Sequence, residues 1–364
     1  MIKLQDLESI QLEITSNCNA MCLDCARNID GVKLNPYVEF GKAGNMSFEL
    51  FKSILNKKTL PNFKKLELDG NFGDSLIHPQ SYEFMEYYCN EFPGTGIEIN
   101  SNGSYNDTDW WYKLGKLLST HLKKRPEHIK FGIDGVDFET HGIYRRNLDY
   151  NKIIDNAKAF IDGGGVATWK FLEFDHNTHQ VEQARQIAKE LGFKRFYLKA
   201  TRNKTRVIEE TLDNKSYKVI GQATKKKEHI EIDSMDKATR NVLQTHIKSI
   251  VSDTENFYDT STVRCPWQRR KMIQIDYDGR LYQCCHIGGK YGRTKNFKHK
   301  EYQYYIDKYG IDWNNLNIHT IQEVFDHPYW KDLDESFNNS IHDKSNPRIK
   351  RCVEKCSAEL WSNA

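Results

Sequence analysis

The chain has 364 residues, of which 38% are apolar and 12% aromatic, and it carries a formal net charge of +3 with a pI near 8.2. This length admits one large domain with a smaller companion, and the composition excludes a disordered chain, because the negative mean hydropathy reflects abundant Lys, Asp, Glu and Asn rather than a missing core. The mild charge excludes the concentrated basic face by which phosphate binding shows itself, so no nucleic-acid partner is indicated.

The opening "MIKLQDLESIQLEIT" has no cationic segment followed by an apolar stretch and a small-residue cleavage site. No run of about 18 apolar residues occurs anywhere. The expectation is a cytoplasmic protein without a membrane partner. In a reducing cytosol, nine cysteines in uneven clusters suit metal ligation or catalysis better than a disulfide framework.

Short apolar runs alternate with longer amphipathic ones up to about residue 200. "SIQLEIT" (9 to 15), "KKLELDG" (64 to 70), "GIEINS" (96 to 101), "IKFGIDG" (129 to 135), "WKFLEFD" (169 to 175) and "RFYLKA" (195 to 200) read as six strands. Helices are expected around 47 to 57, 80 to 91, 108 to 122, 149 to 162 and 178 to 191, with "GGG" at 163 to 165 and "LGF" at 191 to 193 as stops. The fold class is therefore α/β, an open or partial (β/α)6 barrel resembling part of a TIM barrel, over residues 1–203. Residues 204–262 read as a charged helical connector or insertion whose "KKKE" is a solvated face, and 263–364 as a smaller cysteine-bearing domain. That last domain opens with a hairpin, "MIQIDYDG" and "RLYQCC" turning at Asp278 and Gly279, followed by a helical reach near 319 to 337.

Chemistry concentrates at strand ends, where βα loops gather. Directly after strand one come Cys18, Cys22 and Cys25, spaced Cys-x3-Cys-x2-Cys. Iron-sulfur clusters are usually held by four thiolates, so three leave one iron open to a substrate or cofactor. The same three residues also suit a zinc site completed by a distant His, or packed thiols that bind nothing.

Three further stretches carry a resemblance. "LDGNFGDSLIHP" (68 to 79) follows strand two, "IEINSNGS" (97 to 104) spans strand three, and "FGIDGVDFETHGIYRRN" (131 to 147) spans strand four. With the cysteine loop, these resemble in kind and order the motifs of the radical S-adenosylmethionine (radical SAM) enzymes, over about residues 9 to 200. The resemblance implies a [4Fe-4S] cluster on Cys18, Cys22 and Cys25 whose open iron chelates S-adenosylmethionine. It also implies an electron donor such as flavodoxin or ferredoxin, and a 5′-deoxyadenosyl radical that abstracts a substrate hydrogen.

Under that resemblance each companion motif has a task. Gly70 and Gly73 let backbone approach the methionine end of the cofactor, with Asp74 beside them. Asn100, Ser101 and Asn102 face ribose hydroxyls, Asp134 lies on the strand-four rim, and Arg145, or Arg146 one position on, offers a planar fork for the methionine carboxylate. Two positions depart from the family pattern: Asp24 stands where an aromatic residue is usual, and Phe72-Gly73-Asp74 replaces Gly-Gly-Glu.

Cys265, Gly279 and Cys284 have the spacing Cys-x13-Gly-x4-Cys, and Cys352 and Cys356 follow as Cys-x3-Cys. The set resembles the SPASM and twitch domains of radical SAM enzymes and implies one auxiliary [4Fe-4S] cluster. A zinc ribbon is the alternative. Gly-x4-Cys favours Cys284 over Cys285 as the ligand, since adjacent strand residues face opposite ways.

Other conspicuous residues have plainer readings. Cys89 is a buried small hydrophobe in an amphipathic helix, Asn177 and Thr178 in "DHNTHQ" are capping residues beside His176 and His179, and Trp110 and Trp111 pack. The resemblance implies a peptide or protein substrate first. A sugar or nucleotide-like small molecule comes second, and a noncatalytic iron-sulfur electron-transfer or binding protein is the rival reading.

Overall fold

The computed structural model describes residues 2–22, 25, 27–29, 33–34, 44–121, 128–200, 207–211, 216–220, 254–291 and 300–358. Asp24, "KKKE" and the expected boundary at 203 and 204 lie outside these residues. The chain divides into two compact units, one of Glu13–Phe48 and Lys64–Ile232, the other of Met1–Leu12, Glu49–Phe63 and Asp233–Ala364.

The expected strands form in sequence order: β1 (Ser9–Leu12), β2 (Lys65–Leu68), β3 (Gly96–Ser101), β4 (Ile129–Gly132), β5 (Ala167–Glu173) and β6 (Arg195–Ala200). In the first unit, β2 to β6 are parallel, and β3, β4, β5 and β6 each lie beside the strand before. That order, with helices between the strands, is the architecture of a partial (β/α) barrel. The helices α1 (Phe48–Ile54), α2 (Ser81–Glu91), α3 (Thr108–His121), α5 (Tyr150–Asp162) and α6 (Val181–Glu190) are those expected.

α4 (Phe138–Tyr144) was not expected; it begins because the Asp137 side chain accepts the main-chain N–H of Thr140 at 2.7 Å. α5 buries Tyr150, Ile153, Asn156, Ala157 and Phe160 at helical spacing and ends at the glycine run, where the Gly163 N–H bonds the Ala159 carbonyl at 3.0 Å. In the stretch read as a helical connector, β7 (Val207–Thr211) and β8 (Ser216–Ile220) instead form an antiparallel pair, with β7 beside β6. "VIEET" and "SYKVI" are rich in β-branched residues, a strand signal that the surrounding charge obscured.

The barrel strands alternate between two kinds of face. Leu66, Leu68, Ile97, Ile99, Ile129, Phe131, Trp169, Phe171 and Phe196 are buried. Their neighbours Lys65, Glu67, Glu98, Asn100, Lys130 and Lys170 are only half-buried, so each strand shows the period of two that separates a packed face from a polar one. On the packed side, Trp111 of α3 lies 5.2 Å from Phe131 and 6.1 Å from Phe160 between ring centroids. On the polar side, Lys65 and Lys130 reach Glu98 at 2.7 and 2.5 Å.

In the second unit, β1 pairs in parallel with β9 (Met272–Ile275), and β9 pairs antiparallel with β10 (Leu281–Tyr282). The hairpin turns at Asp278 and Gly279, whose φ of +84° is one that glycine adopts without strain. The partnership with β1 joins residues far apart in sequence and was not visible there; every residue of β9 is buried. α7 (Thr254–Thr260) precedes this hairpin.

The helical reach near 319 to 337 is two helices, α8 (Ile321–Phe325) and α9 (Tyr329–Ser336). Pro328 separates them, since it lacks an N–H and disfavours helical backbone at His327. α10 (Lys350–Cys356) follows. Among the described residues no helix is long and apolar enough to cross a membrane.

Candidate active site

The cysteine loop is anchored from several sides within the barrel unit. Thr15 Oγ1 donates to Asn45 Oδ1 at 2.6 Å, Ser16 Oγ accepts the Gly44 N–H at 2.9 Å, and the buried Arg27 donates to the Ser16 carbonyl through Nε and Nη2 at 3.2 and 2.8 Å. From the segment after α4, the Arg146 carbonyl accepts the Met21 N–H at 3.0 Å, and Asn147 Nδ2 donates to the Asn19 carbonyl at 2.7 Å. The loop between these anchors presents Cys18 and Cys25 half-buried and Cys22 buried.

The glycine-rich segment lies directly against that loop. A Cβ on Gly73 would stand 2.4 Å from the Thr15 carbonyl oxygen and 2.7 Å from that of Asn17, both backbone atoms that cannot swing aside. Gly70 adopts φ +66°, and a Cβ there would meet the Gly73 carbonyl oxygen at 2.6 Å. The close approach these glycines allow is thus to the cysteine loop and to each other. Gly73→Ala is expected to displace the loop, lowering any cofactor turnover at least about tenfold, the equivalent of roughly 1.4 kcal/mol in the barrel site. Iron bound by the C-terminal unit should be unchanged, and iron analysis with single-turnover assays measures both.

Asp74 ties this segment to the end of β3. Its carboxylate accepts Ser101 Oγ at 3.1 and 3.0 Å, the Asn102 N–H at 2.7 Å and the Leu76 N–H at 3.1 Å. Burial raises its pKa, while the bonds from Asn102, Leu76 and Ser101 favour the charged form. Asn102 in turn donates from Nδ2 to Cys18 Sγ at 3.6 Å and to Asn19 Oδ1 at 3.0 Å, and its Oδ1 accepts from Ser104 N–H and Oγ at 2.9 and 2.7 Å. Asn100 lies two residues back on the polar face, bonded to Asp69 Oδ1 at 2.8 Å and to Lys170 Nζ at 3.1 Å.

At the end of β4 the fully buried Asp134 pairs with Arg145, Nε to Oδ2 at 2.7 Å, and its other oxygen accepts the Leu172 N–H at 2.7 Å. Its main chain is fixed as well: its N–H donates to His141 Nδ1 at 3.2 Å, and its carbonyl accepts Asn177 Nδ2 at 2.9 Å. The Arg145 guanidinium lies over Gly132, where a Cβ would be 2.6 Å from Nη2, and its side chain hydrogen-bonds Cys22. Arg146 is exposed. Of the two arginines, Arg145 is the one turned toward the cysteines.

These neighbours decide the character of the thiols. Burial, with the Asp74 charge adding to it, pushes Cys18 up to about 12. Burial also takes Cys22 up to about 11, against the opposing pull of Arg145. Such thiols are poor nucleophiles at neutral pH and become thiolates only when a cation, such as cluster iron, sits among them. Among the described residues no three His, Cys, Asp or Glu side chains are gathered tightly enough to hold a single metal ion. Three thiols on an anchored loop, an amide donor to Cys18 and a cation at Cys22 fit an iron-sulfur cluster, whose properties depend on hydrogen bonds to sulfur.

The C-terminal unit brings its own thiols together. Cys352 and Cys356 lie one turn apart on α10, and the Cys356 thiol bonds that of Cys265 and feels Cys352 and Cys284. That bond, reinforced by the Gln268 and Trp267 N–H groups, draws Cys265 below the usual thiol range, whereas Cys284 is raised by burial and the adjacent Cys285. Backbone bonds clamp the two segments: Arg264 N–H to the Cys356 carbonyl at 2.7 Å and Ala358 N–H to the Thr262 carbonyl at 2.8 Å. Cys284 is buried and Cys285 half-buried, opening a helix (Cys285–Tyr291) rather than continuing the strand.

The remaining residues divide simply. Cys89 is fully buried on α2, its thiol pushed up to about 12 by burial, and Trp111 is fully buried. Asn177 Oδ1 accepts the Phe174 N–H at 2.7 Å, closing the turn after β5. Sequence reasoning missed Arg27, Ser104 and His141, whose partners Ser16, Asn102 and Asp134 are near in sequence but joined by no recognisable spacing motif. It also missed Asp69 and Lys170, although both obey the period of two that marks the polar face.

No protein-family model matches the chain. Over 187 residues it is 23% identical to the antilisterial bacteriocin subtilosin biosynthesis protein AlbA of Bacillus subtilis (strain 168), a stretch covering 50% of this chain and 37% of AlbA. The aligned stretch therefore spans little more than a third of that relative. Among solved structures, native anSMEcpe with bound AdoMet is 15% identical with a TM-score of 0.49, covering 97% of this chain and 96% of its own. BtrN in complex with AdoMet and 2-DOIA is 12% identical at 0.46, covering 98% and 94%. Streptococcus suis SuiB bound to its precursor peptide SuiA is 11% identical at 0.44, covering 95% and 76%.

Proposed function

We propose that this chain is a radical SAM enzyme that holds a [4Fe-4S] cluster on Cys18, Cys22 and Cys25 and uses S-adenosylmethionine to abstract hydrogen from a peptide. The observation that carries this reading is the convergence of the cysteine loop with Asn102 from the end of β3 and Arg145 from beyond β4, through the contacts to Cys18 and Cys22. When bound, the cofactor supplies the radical by one-electron cleavage of its sulfonium, leaving the protein to bind, orient and exclude.

The chain's own residues serve that task. Asn102 donates to the sulfur of Cys18, favouring its thiolate and tuning the cluster potential. Asp134 takes Nε of Arg145, leaving the terminal nitrogens to meet the cofactor carboxylate in a planar fork. Gly70, Gly73 and Asp74 fix the backbone beside the loop, with Ser101 and Asn100 behind it. Cys265, Cys284, Cys352 and Cys356 would hold the auxiliary cluster, and a flavodoxin or ferredoxin would be the electron donor. The peptide substrate is supported by the likeness to AlbA, a protein of bacteriocin biosynthesis.

Anaerobic reconstitution tests the reading. The expected result is about eight irons per chain, from two four-iron clusters, and 5′-deoxyadenosine that forms only with reductant. A fully loaded protein that makes no 5′-deoxyadenosine would refute it.

A further inference from the structure

We propose that Lys170 is a substrate-anchoring residue that binds a carboxylate of the substrate on the polar face of the barrel sheet. The inference rests on the function proposed above and deepens it by assigning the substrate an anionic group.

The charges on this face are not all satisfied alike. Lys65 and Lys130 both bond Glu98 directly, at 2.7 and 2.5 Å, and Lys65 also reaches Glu67 at 2.9 Å. Arg145 has Asp134 at 2.7 Å. Lys170 differs. Its ammonium donates to the neutral Asn100 Oδ1 at 3.1 Å, and Asn100 in turn reaches Asp69 at 2.8 Å. Among the described residues no carboxylate comes within ion-pair distance of Lys170, so one of its three donors meets a neutral amide and the others meet no protein acceptor.

A second cation stands beside Lys170. In register, Lys170 lies between Gly132 on β4 and Tyr197 on β6, and Gly132 contributes no side chain to that row. The Arg145 guanidinium lies over Gly132, so two cationic side chains flank the same position. Burial, then the charges of Lys199 and Arg145, bring Lys170 down to about 8 despite the pull of Asp69. Asp69 is itself raised to about 6 by burial and by Glu67 and Glu98, so it stays largely ionised at neutral pH, but it bonds the Asn100 amide rather than the Lys170 ammonium. A half-buried cation without an ion partner is costly, and a carboxylate arriving from outside relieves that cost.

Two carboxylates could meet these cations, that of the substrate and that of S-adenosylmethionine, and the test separates them. The purified reconstituted protein is acetylated at pH 8 with limiting acetic anhydride, and Lys170 modification is followed by peptide mass spectrometry. The probes are N-acetylglutamate α-amide and its neutral analogue N-acetylglutamine amide, each with and without S-adenosylmethionine. The glutamate probe should slow Lys170 labelling about threefold at twice its dissociation constant, with the cofactor present or absent, and the glutamine probe should not. Saturation-transfer NMR should show the glutamate probe bound by Lys170→Arg and lost from Lys170→Met. Equal protection by both probes, no protection by the glutamate probe, or protection by S-adenosylmethionine to which that probe adds nothing would each overturn the assignment. Labelling needs no cofactor cleavage, so a protein that makes no 5′-deoxyadenosine fails the function above while Lys170 is still read independently.

Discussion

Replacing Cys18, Cys22 and Cys25 together by Ala should abolish formation of 5′-deoxyadenosine, with iron falling only by half, from about eight to about four per chain. The two thiol sets belong to different compact units of the chain. The first set sits on a loop held by Asn45, Gly44 and Arg27 rather than by its own thiols, so the loop should persist without them. The second set draws on Cys265, Cys284 and the α10 pair, with backbone bonds of its own. Iron analysis and cofactor cleavage on the same preparation decide the matter. Residual cleavage in the triple variant would remove the cofactor from this loop altogether.

The largest stability effect is expected at Asp134. Asp134→Asn should cost about 3 kcal/mol, the lower end of what breaking a buried ion pair costs. The change is nearly isosteric, yet it removes the charge opposite Arg145. It also sets the amide NH2 against one of two donors, Arg145 Nε or the Leu172 N–H, each of which now has its own carboxylate oxygen at 2.7 Å. Asp149→Asn is the control, because that side chain caps α5 at the exposed Lys152 N–H, at 3.2 Å, and Asn caps as well as Asp does. Urea unfolding of the two variants beside the parent should show a large shift for Asp134 and almost none for Asp149. A shift below about 1 kcal/mol at Asp134 would mean that Arg145 finds another partner at little cost.

What could be read from the sequence follows the range of the interactions concerned. Strands β1 to β6 and the helices between them are set by local periodicity and by stops such as Gly163, so they were legible. The short α4 was missed because its signal is one capping residue, Asp137, and the break at Pro328 because the apolar pattern on either side of it continues. β9 pairing with β1 depends on contacts across most of the chain, and nothing local announces it. At the site, cysteine spacing, Asn102 and Arg145 were readable as residue types placed after strands. The ties from Asp74 to Ser101 and Asn102, and from Asp134 to Leu172 and Arg145, were not, since a carboxylate looks the same in sequence whether it faces a ligand or its own backbone.

The two faces of the barrel strands have a consequence for how such a chain can change. Instructions for folding sit on one set of alternate residues, Leu66, Ile99, Phe131, Phe171 and their kind, and the polar residues sit on the other. Substitution at Lys170 or Asn100 therefore leaves the core specified elsewhere, and the polar face can vary without the chain relearning how to fold. The same arrangement is brittle toward insertion. One residue added within β5 would exchange the two sets downstream, turning Phe171 toward the solvated side and a charge into the core, so point substitution rather than insertion is the open route for this sheet.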